Sequence, residues 1–216
     1  MRVALAFVAG ALSLSCAHPP PPATVASPPP QEPIEHLQRF HSKRFNFSLP
    51  LPEGARWRID DHSHPELVAT LPALPARIVA YVAIEKELAN RQLCEARARE
   101  RGVLPAAELH TVEDTVTTMF DEFDTRVWVA IEAPGAPGGP MKGHVLAFGG
   151  FLRKCFFFHY ETGVRSDAET GSLSQRLALA RTRILGGMVV APFPEPSREA
   201  PALEPAPAPP PNATGH

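Results

Sequence analysis

The stretch "GHVLAFGGFLRKCFFFHYET" (residues 143–162) decides the fold of this chain. Two apolar runs, at 143–150 and 154–162, are separated by a few residues, a pattern typical of two antiparallel strands joined by a short turn. Two registers are open. A four-residue loop at Gly150–Arg153 makes His144 and His159 face each other across the ladder, whereas a turn at Gly149–Gly150 separates them.

Alternating or continuous apolar runs upstream of this hairpin predict further strands. They lie at 45–49 (FNFSL), 56–60 (RWRID), 66–71 (ELVATL), 76–85 (ARIVAYVAIE) and 125–132 (TRVWVAIE). Two segments predict helices: one capped by Asn90 and stopped near Arg101 by Gly102, the other running from a Ser172 cap to Leu185. The order predicts an α+β fold, an antiparallel β-sheet with the two main helices packed on one face.

The short F-x-F-x-L-P opening strand (45–50) and the apolar C-terminal helix resemble the PsbP-like fold. The resemblance is one of element order over residues 40–190 and involves no shared motif. It implies a binding role, because PsbP binds a larger assembly and is not regarded as an enzyme.

Proline is concentrated at the two ends of the chain. Of the 26 prolines in 216 residues, eight precede residue 44 and nine follow residue 190, so only the middle can bury a core. We predict a signal peptide at 1–15, a lipidated Cys16 with a Pro-rich linker to 39, a globular α+β domain at 40–190 and a disordered tail at 191–216.

The N-terminus carries the clearest motif. Arg2 precedes an apolar run from Val3 to Leu14, which is too short for a membrane span and typical of a signal peptide. Small Ser15 then precedes Cys16, and this stretch resembles the lipobox of bacterial lipoproteins, with Ser13 where the family prefers an aliphatic residue. The resemblance implies a diacylglyceryl group on the Cys16 thiol, with ordinary secretory cleavage near Ala17 as the alternative.

Lipidation implies a compartment and a membrane partner. We expect the protein to be anchored in the cell envelope by its lipid, facing the periplasm or the cell surface. Ala17, rather than Asp, follows the cysteine and favours the outer membrane. The net charge of −2, with acids and bases interspersed, argues against a nucleic-acid partner.

The predicted lipidation of Cys16 also determines how the other two cysteines are interpreted. Once Cys16 is lipidated, Cys94 and Cys155 remain in an oxidising compartment, and we predict a disulfide between them. The alternative is a pair of separate buried thiols.

The sequence contains no G-x-S-x-G, H-E-x-x-H, G-x-G-x-x-G or P-loop motif, so we expect a non-enzymatic protein without a cofactor. Two groups could nonetheless bind metal, the Asp60–Glu66 turn (DDHSHPE) and the hairpin histidines, but neither shows a complete ligand set and we predict no metal site. The alternatives to a binding or scaffolding lipoprotein are an envelope hydrolase with an unrecognised carboxylate or histidine site and a carrier of a metal or small ligand.

The hairpin tip is the predicted binding surface for an envelope protein. Phe151 and Leu152 lie beside Arg153 and Lys154, a combination suited to a partner groove or a headgroup layer. The alternative is a tip that folds back over the edge of the sheet.

Lipidation is tested by growing the bacterium with a labelled fatty acid. The wild-type protein should carry the label and Cys16→Ser should not, because serine lacks the thiol that receives the lipid. Label that persists in the variant, or a mature chain that begins after Cys16, would contradict the assignment.

Overall fold

The structure is a computed structural model that describes residues 37–132, 135–136 and 138–191. The predicted signal peptide, Cys16 and the tail from residue 192 lie outside these residues. Among the helices described, none is long and apolar enough to cross a membrane.

A seven-stranded antiparallel sheet forms the body of the domain. The strands are β3 (Arg58–Asp60), β4 (Leu67–Leu71), β5 (Ala76–Ile84), β6 (Leu109–Met119), β7 (Phe123–Glu132), β8 (Met141–Phe151) and β9 (Lys154–Val164). Their spatial order is β3-β4-β5-β9-β8-β7-β6.

The predicted hairpin is formed by β8 and β9 in the middle of this sheet. Nearly every residue of both strands is buried, because β7 and β5 flank the pair and both of its faces are covered. The turn is tighter than expected. Phe151 pairs with Lys154, leaving only Leu152 and Arg153 in the loop, and Leu152 adopts a left-handed φ of 51°.

The first helix, α1 (Arg91–Glu100), has the predicted caps. The Asn90 side chain accepts a hydrogen bond of 2.9 Å from the Leu93 backbone N–H, and Gly102 has a φ of 68°. Cys94 and Ala98 are the buried residues of this helix and attach it to the sheet.

The second helix, α2 (Thr170–Leu179), continues through a π-helical turn to Leu185. The predicted cap, Ser172, lies inside the helix, because a 3-10 turn at Asp167–Glu169 leads directly into it. Helical spacing of its apolar residues predicts a buried stripe on this helix, and the four residues of that stripe are all buried: Leu173, Leu177, Ala180 and Ile184.

The α+β class is confirmed, but the helices lie on opposite faces of the sheet, where we predicted one face. On β8, a Cβ at Gly143 would meet Leu177 of α2 at 2.7 Å, whereas one at Gly150 would meet the Asn90 backbone at 2.4 Å. Residues 143 and 150 differ by an odd number, so they point to opposite sides of the strand. Hydrophobic periodicity shows which face of a helix is buried but not which face of the sheet it covers.

A second, three-stranded sheet was only partly predicted from the sequence. It consists of β1 (Leu37–Ser42), β2 (Phe47–Pro52) and β10 (Val189–Val190), in the order β1-β2-β10. The predicted opening strand begins two residues later than expected and continues through Pro50. Neither β1 nor the edge strand β6 was predicted, because their residues are largely exposed and lack a clear apolar alternation.

The predicted disulfide joins Cys94 of α1 to Cys155 of β9. The two Cα atoms are 5.2 Å apart, and both residues are buried. The separate-thiol alternative is therefore wrong. The bond fixes α1 to the central hairpin immediately beside its tip.

Replacing both cysteines by alanine should destabilise the domain by about 4 kcal/mol, the loop-closure entropy of a bond that spans 61 residues of sequence. Urea unfolding of the exported protein measures this loss. A reductant should lower the stability of the wild type and leave the double variant unchanged. Equal stability of the oxidised wild type and the variant would contradict the prediction.

Candidate functional site

The four residues of the predicted tip have different environments. Phe151 is half-buried, with its ring centroid 5.8 Å from that of Phe123. Leu152 is 60% exposed, Arg153 is also exposed, and Lys154 is half-buried. The predicted projecting tip and the alternative of a folded-back tip therefore each describe part of it, since the phenylalanine packs back on the sheet while the leucine projects from it.

The segment between β5 and α1 lies against this tip. The backbone N–H of Ala89 donates to the Leu152 carbonyl at 2.6 Å, and that of Glu85 donates to the Arg153 carbonyl at 2.7 Å. Two further exposed apolar side chains come from this region, Ile84 at 62% and Leu88 at 75%. Sequence reasoning missed them because they are distant from the hairpin in the chain. Ile84, Leu88 and Leu152 together are called the tip patch below.

The Asp60–Glu66 turn uses its polar groups to hold its own backbone. Asp60 Oδ1 accepts hydrogen bonds from the backbone N–H groups of His62 (3.0 Å) and Ser63 (2.8 Å). These bonds, first that from Ser63, hold the pKa of Asp60 below its ordinary value. Among the described residues, the turn does not gather three ligand atoms around one point.

The hairpin histidines do meet, although by neither of the predicted registers. His144 pairs with Glu161 across the ladder, and Leu146 pairs with His159, so the two histidines are diagonal neighbours on the same face. Nδ1 of His144 lies 3.0 Å from Nε2 of His159. The two-residue turn shifts the register by two positions relative to the four-residue loop, which preserves the face while changing the partner.

Hydrogen bonding defines the tautomers of this pair. Nε2 of His144 lies 3.1 Å from Oε1 of Glu132. A carboxylate only accepts, so this nitrogen carries the hydrogen and Nδ1 of a neutral His144 presents its lone pair to His159. Nε2 of His159 then donates to it. The remaining nitrogen of His159, Nδ1, is buried without a hydrogen bond of good geometry, although the Val103 backbone lies close enough to act on the ring.

Burial keeps both rings neutral. His144 is fully buried and His159 is 3% exposed. Desolvation, followed by the proximity of His144, lowers the pKa of His159 to about 3. Desolvation also lowers the pKa of His144, against the opposing effect of the Glu161 and Glu132 carboxylates.

Glu161 completes a cluster that sequence reasoning missed. One nitrogen from each histidine and one carboxylate oxygen of Glu161 all lie within 4.8 Å of one another. The signal was present in the sequence, because His159 and Glu161 are two residues apart on a strand and therefore share a face. The cluster of His144, His159, Glu161 and the adjoining Glu132 is called the His–Glu cluster below.

The His–Glu cluster reaches the surface through Glu161. Its side chain is 30% exposed, and it forms an ion pair of 3.4 Å with Lys142. It also lines an open depression of ≈430 Å³, together with Arg77. The buried histidines therefore lie directly behind a carboxylate that solvent can reach.

Comparison with known proteins finds solved structures of similar fold but no matching family. No family model matches the chain, and no curated protein matches its sequence. Among solved structures, the yeast Ran-binding protein Mog1p (Saccharomyces cerevisiae) is similar with a TM-score of 0.48 and 6% identity, over 72% of this chain and 95% of that one.

Two bacterial structures are also similar. LpqN of Mycobacterium tuberculosis, described as involved in cell envelope biogenesis, has a TM-score of 0.44 and 16% identity, over 73% of this chain and 91% of that one. A protein of Bacteroides thetaiotaomicron VPI-5482 has a TM-score of 0.44 and 8% identity, over 73% of this chain. The match spans only 50% of the Bacteroides chain. Identities this low concern the fold alone.

The buried His159 should make stability depend on pH. Its folded-state pKa of about 3 lies below the ordinary 6.5, so the unfolded state binds the proton first and stability falls as the pH drops through this window. Between pH 7 and pH 5 we expect a loss of about 2 kcal/mol. Urea unfolding with a chelator present measures it.

His159→Gln should lose most of this pH dependence, since glutamine does not titrate. His62→Gln, at an exposed position in the Asp60–Glu66 turn, is the matched control and should retain it. The same pH dependence in the wild type and His159→Gln would contradict the assignment.

Proposed function

We propose that this protein is a lipoprotein of the bacterial cell envelope whose folded domain binds another envelope protein and catalyses no reaction. In this proposal, the lipid on Cys16 anchors the chain in a membrane, with the outer membrane preferred, and the Pro-rich linker separates the domain from it. The resemblance to the PsbP-like fold stays a hypothesis that rests on element order.

The tip patch is the observation that carries the proposal. Ile84, Leu88 and Leu152 are each at least 60% exposed and come from two segments joined by backbone hydrogen bonds. Scattered exposed apolar residues are ordinary, but a group at one end of a sheet is typical of an interaction surface.

The tip patch is held rigidly before any partner arrives. Besides the two backbone hydrogen bonds, Nε of Arg153 donates to the Glu85 carbonyl at 2.8 Å. The Cys94–Cys155 disulfide fixes the adjoining helix to the base of the same hairpin. A preorganised surface loses little conformational entropy on binding, so its apolar contacts contribute more fully to affinity.

The charges around the tip patch favour a protein over a lipid surface. Arg153 and Lys86 are exposed, but Glu87 is exposed beside them and Glu85 is half-buried. Binding to an anionic bilayer depends on clustered cations, whereas a mixed polar rim around apolar residues is the usual anatomy of a protein interface.

Two depressions of the described surface bear on the chemistry available to it. They measure ≈430 and ≈400 Å³, are open to solvent and are lined mainly by threonine, proline and aliphatic residues. Arg77 and Glu161 are the titratable side chains of one, and Arg181 that of the other. Neither depression contains a nucleophile paired with a base, as a hydrolase needs.

A photo-crosslinking residue at position 152 of the full-length lipoprotein tests the proposal in intact cells. We expect one protein adduct of discrete mass. Adding Leu88→Asp should abolish that adduct, because a carboxylate in the tip patch cannot be desolvated against an apolar partner surface. Immunoblotting and mass spectrometry measure the result.

The same residue at position 116 is the matched control, because Val116 is 57% exposed on the edge strand β6, outside the tip patch. It should not give the adduct. Thermal melting should be the same for all variants, since the changed residues are exposed. Crosslinking of position 152 to lipid, or a protein adduct that persists in Leu88→Asp, would refute binding through the tip patch.

A further inference from the structure

We propose that the His–Glu cluster binds a divalent transition-metal ion of the zinc class, with His144 Nδ1, His159 Nε2 and a Glu161 oxygen as ligands. Glu132 orients His144 by accepting the hydrogen of its Nε2. This site is independent of the tip patch and of the lipid anchor.

The distance between the two ring nitrogens suits a shared ion. They are 3.0 Å apart and face each other. Two nitrogens on one tetrahedral zinc ion, each at about 2.0–2.1 Å, are about 3.3 Å apart. An outward movement of a few tenths of an ångström, together with a turn of both rings that directs their lone pairs at one point, converts the hydrogen-bonded pair into a pair of ligands.

The ligand types match the ion. Two imidazoles with one carboxylate form a ligand set that zinc uses with a fourth position left to water or another ligand. Glu161 supplies the ligand at the solvent side and lines the open depression, which provides both an entry path and room for that fourth group.

His144 has the outer partner that a metal ligand needs, and His159 has a backbone group near its second ring nitrogen. A ligating histidine usually donates its second ring N–H to a carboxylate or a backbone carbonyl, which fixes the ring. Glu132 already accepts from His144. For His159, the hydrogen moves from Nε2 to the buried Nδ1, beside the backbone of Val103.

Metal binding thus needs a change of tautomer at His159 and no net proton loss from the pair. In the metal-free state, Nδ1 of His159 is a buried polar atom without a good partner, which costs free energy. In the bound state it becomes a donor. Metal binding therefore requires that the Val103 backbone carbonyl accept this hydrogen, since otherwise a buried donor would merely replace a buried acceptor.

Two positively charged side chains near Glu161 oppose the binding of a metal ion, but carboxylates of the cluster balance their charge. Lys142 contacts Glu161 at 3.4 Å, and Arg77 is the cross-strand partner of Glu161 on β5. The two glutamates of the cluster offset these two positive charges. The ion must compete with Lys142 for Glu161, so Lys142→Gln should bind zinc at least as tightly as the wild type.

Calorimetric titration of the full-length protein with zinc alone tests the site. The protein is purified without a histidine tag and freed of metal by a chelator. We expect one equivalent to bind the wild type. Glu161→Gln removes a ligand and should weaken binding by at least the roughly 10- to 100-fold that loss of an outer partner costs, while melting as the wild type does without metal, because its side chain is partly exposed. Glu132→Gln should weaken binding by a similar factor.

A double His62→Gln and His64→Gln variant is the matched control, since it removes the two histidines of the Asp60–Glu66 turn and leaves the His–Glu cluster intact. It should bind zinc as the wild type does. Binding lost in this control but kept in Glu161→Gln would overturn the site, as would a wild type that binds no zinc.

Nitrogen NMR of the imidazoles supplies a second measurement. If the two histidines have only a structural role, adding zinc would leave their NMR signals unchanged. Zinc should convert His159 from the Nε2–H to the Nδ1–H tautomer and leave His144 with its hydrogen on Nε2. Unchanged His159 signals in the presence of bound zinc would place the metal elsewhere and overturn the proposal.

Discussion

Close packing of one helix on each face of the β8–β9 hairpin is the constraint on which the rest of the structure depends. Gly143 admits the leucines of α2 on one face, and Gly150 admits the backbone at the start of α1 on the other. Any larger residue at 150 would collide with backbone atoms, which cannot move as a flexible side chain can. The disulfide between Cys94 and Cys155 is possible because this approach is so close.

The same hairpin carries both candidate sites. Its turn presents Leu152 at one end, and its strands bring His144, His159 and Glu161 together farther along. On the face that carries α1, Cys155 is bonded to the helix and His159 lies near the Val103 backbone. Glu161, farther along β9, is partly exposed. The cluster therefore meets solvent through Glu161 while its histidines are buried.

Much of the fold could be predicted because its strongest elements carry local signals. Asn90 and Gly102 mark the ends of α1 by capping chemistry, and the stripe from Leu173 to Ile184 marks the buried side of α2. The edge strand β6 and the strand β1 of the small sheet were not predicted, because exposed strands need no apolar alternation. The disulfide was predictable because only two cysteines remained after Cys16 was assigned to the lipid.

The sequence by itself indicated most of the element types and the cysteine pairing, since each depends on neighbouring residues or on counting, while the export motif stays a prediction. Only the tertiary structure decided the hairpin register, the placement of the helices on opposite faces and the pairing of the segment that carries Ile84 and Leu88 with the turn at Leu152. These depend on which surfaces pack together, a choice made by the whole core. A shift of two residues at one turn replaced a direct histidine pair by a diagonal one and brought Glu161 opposite His144.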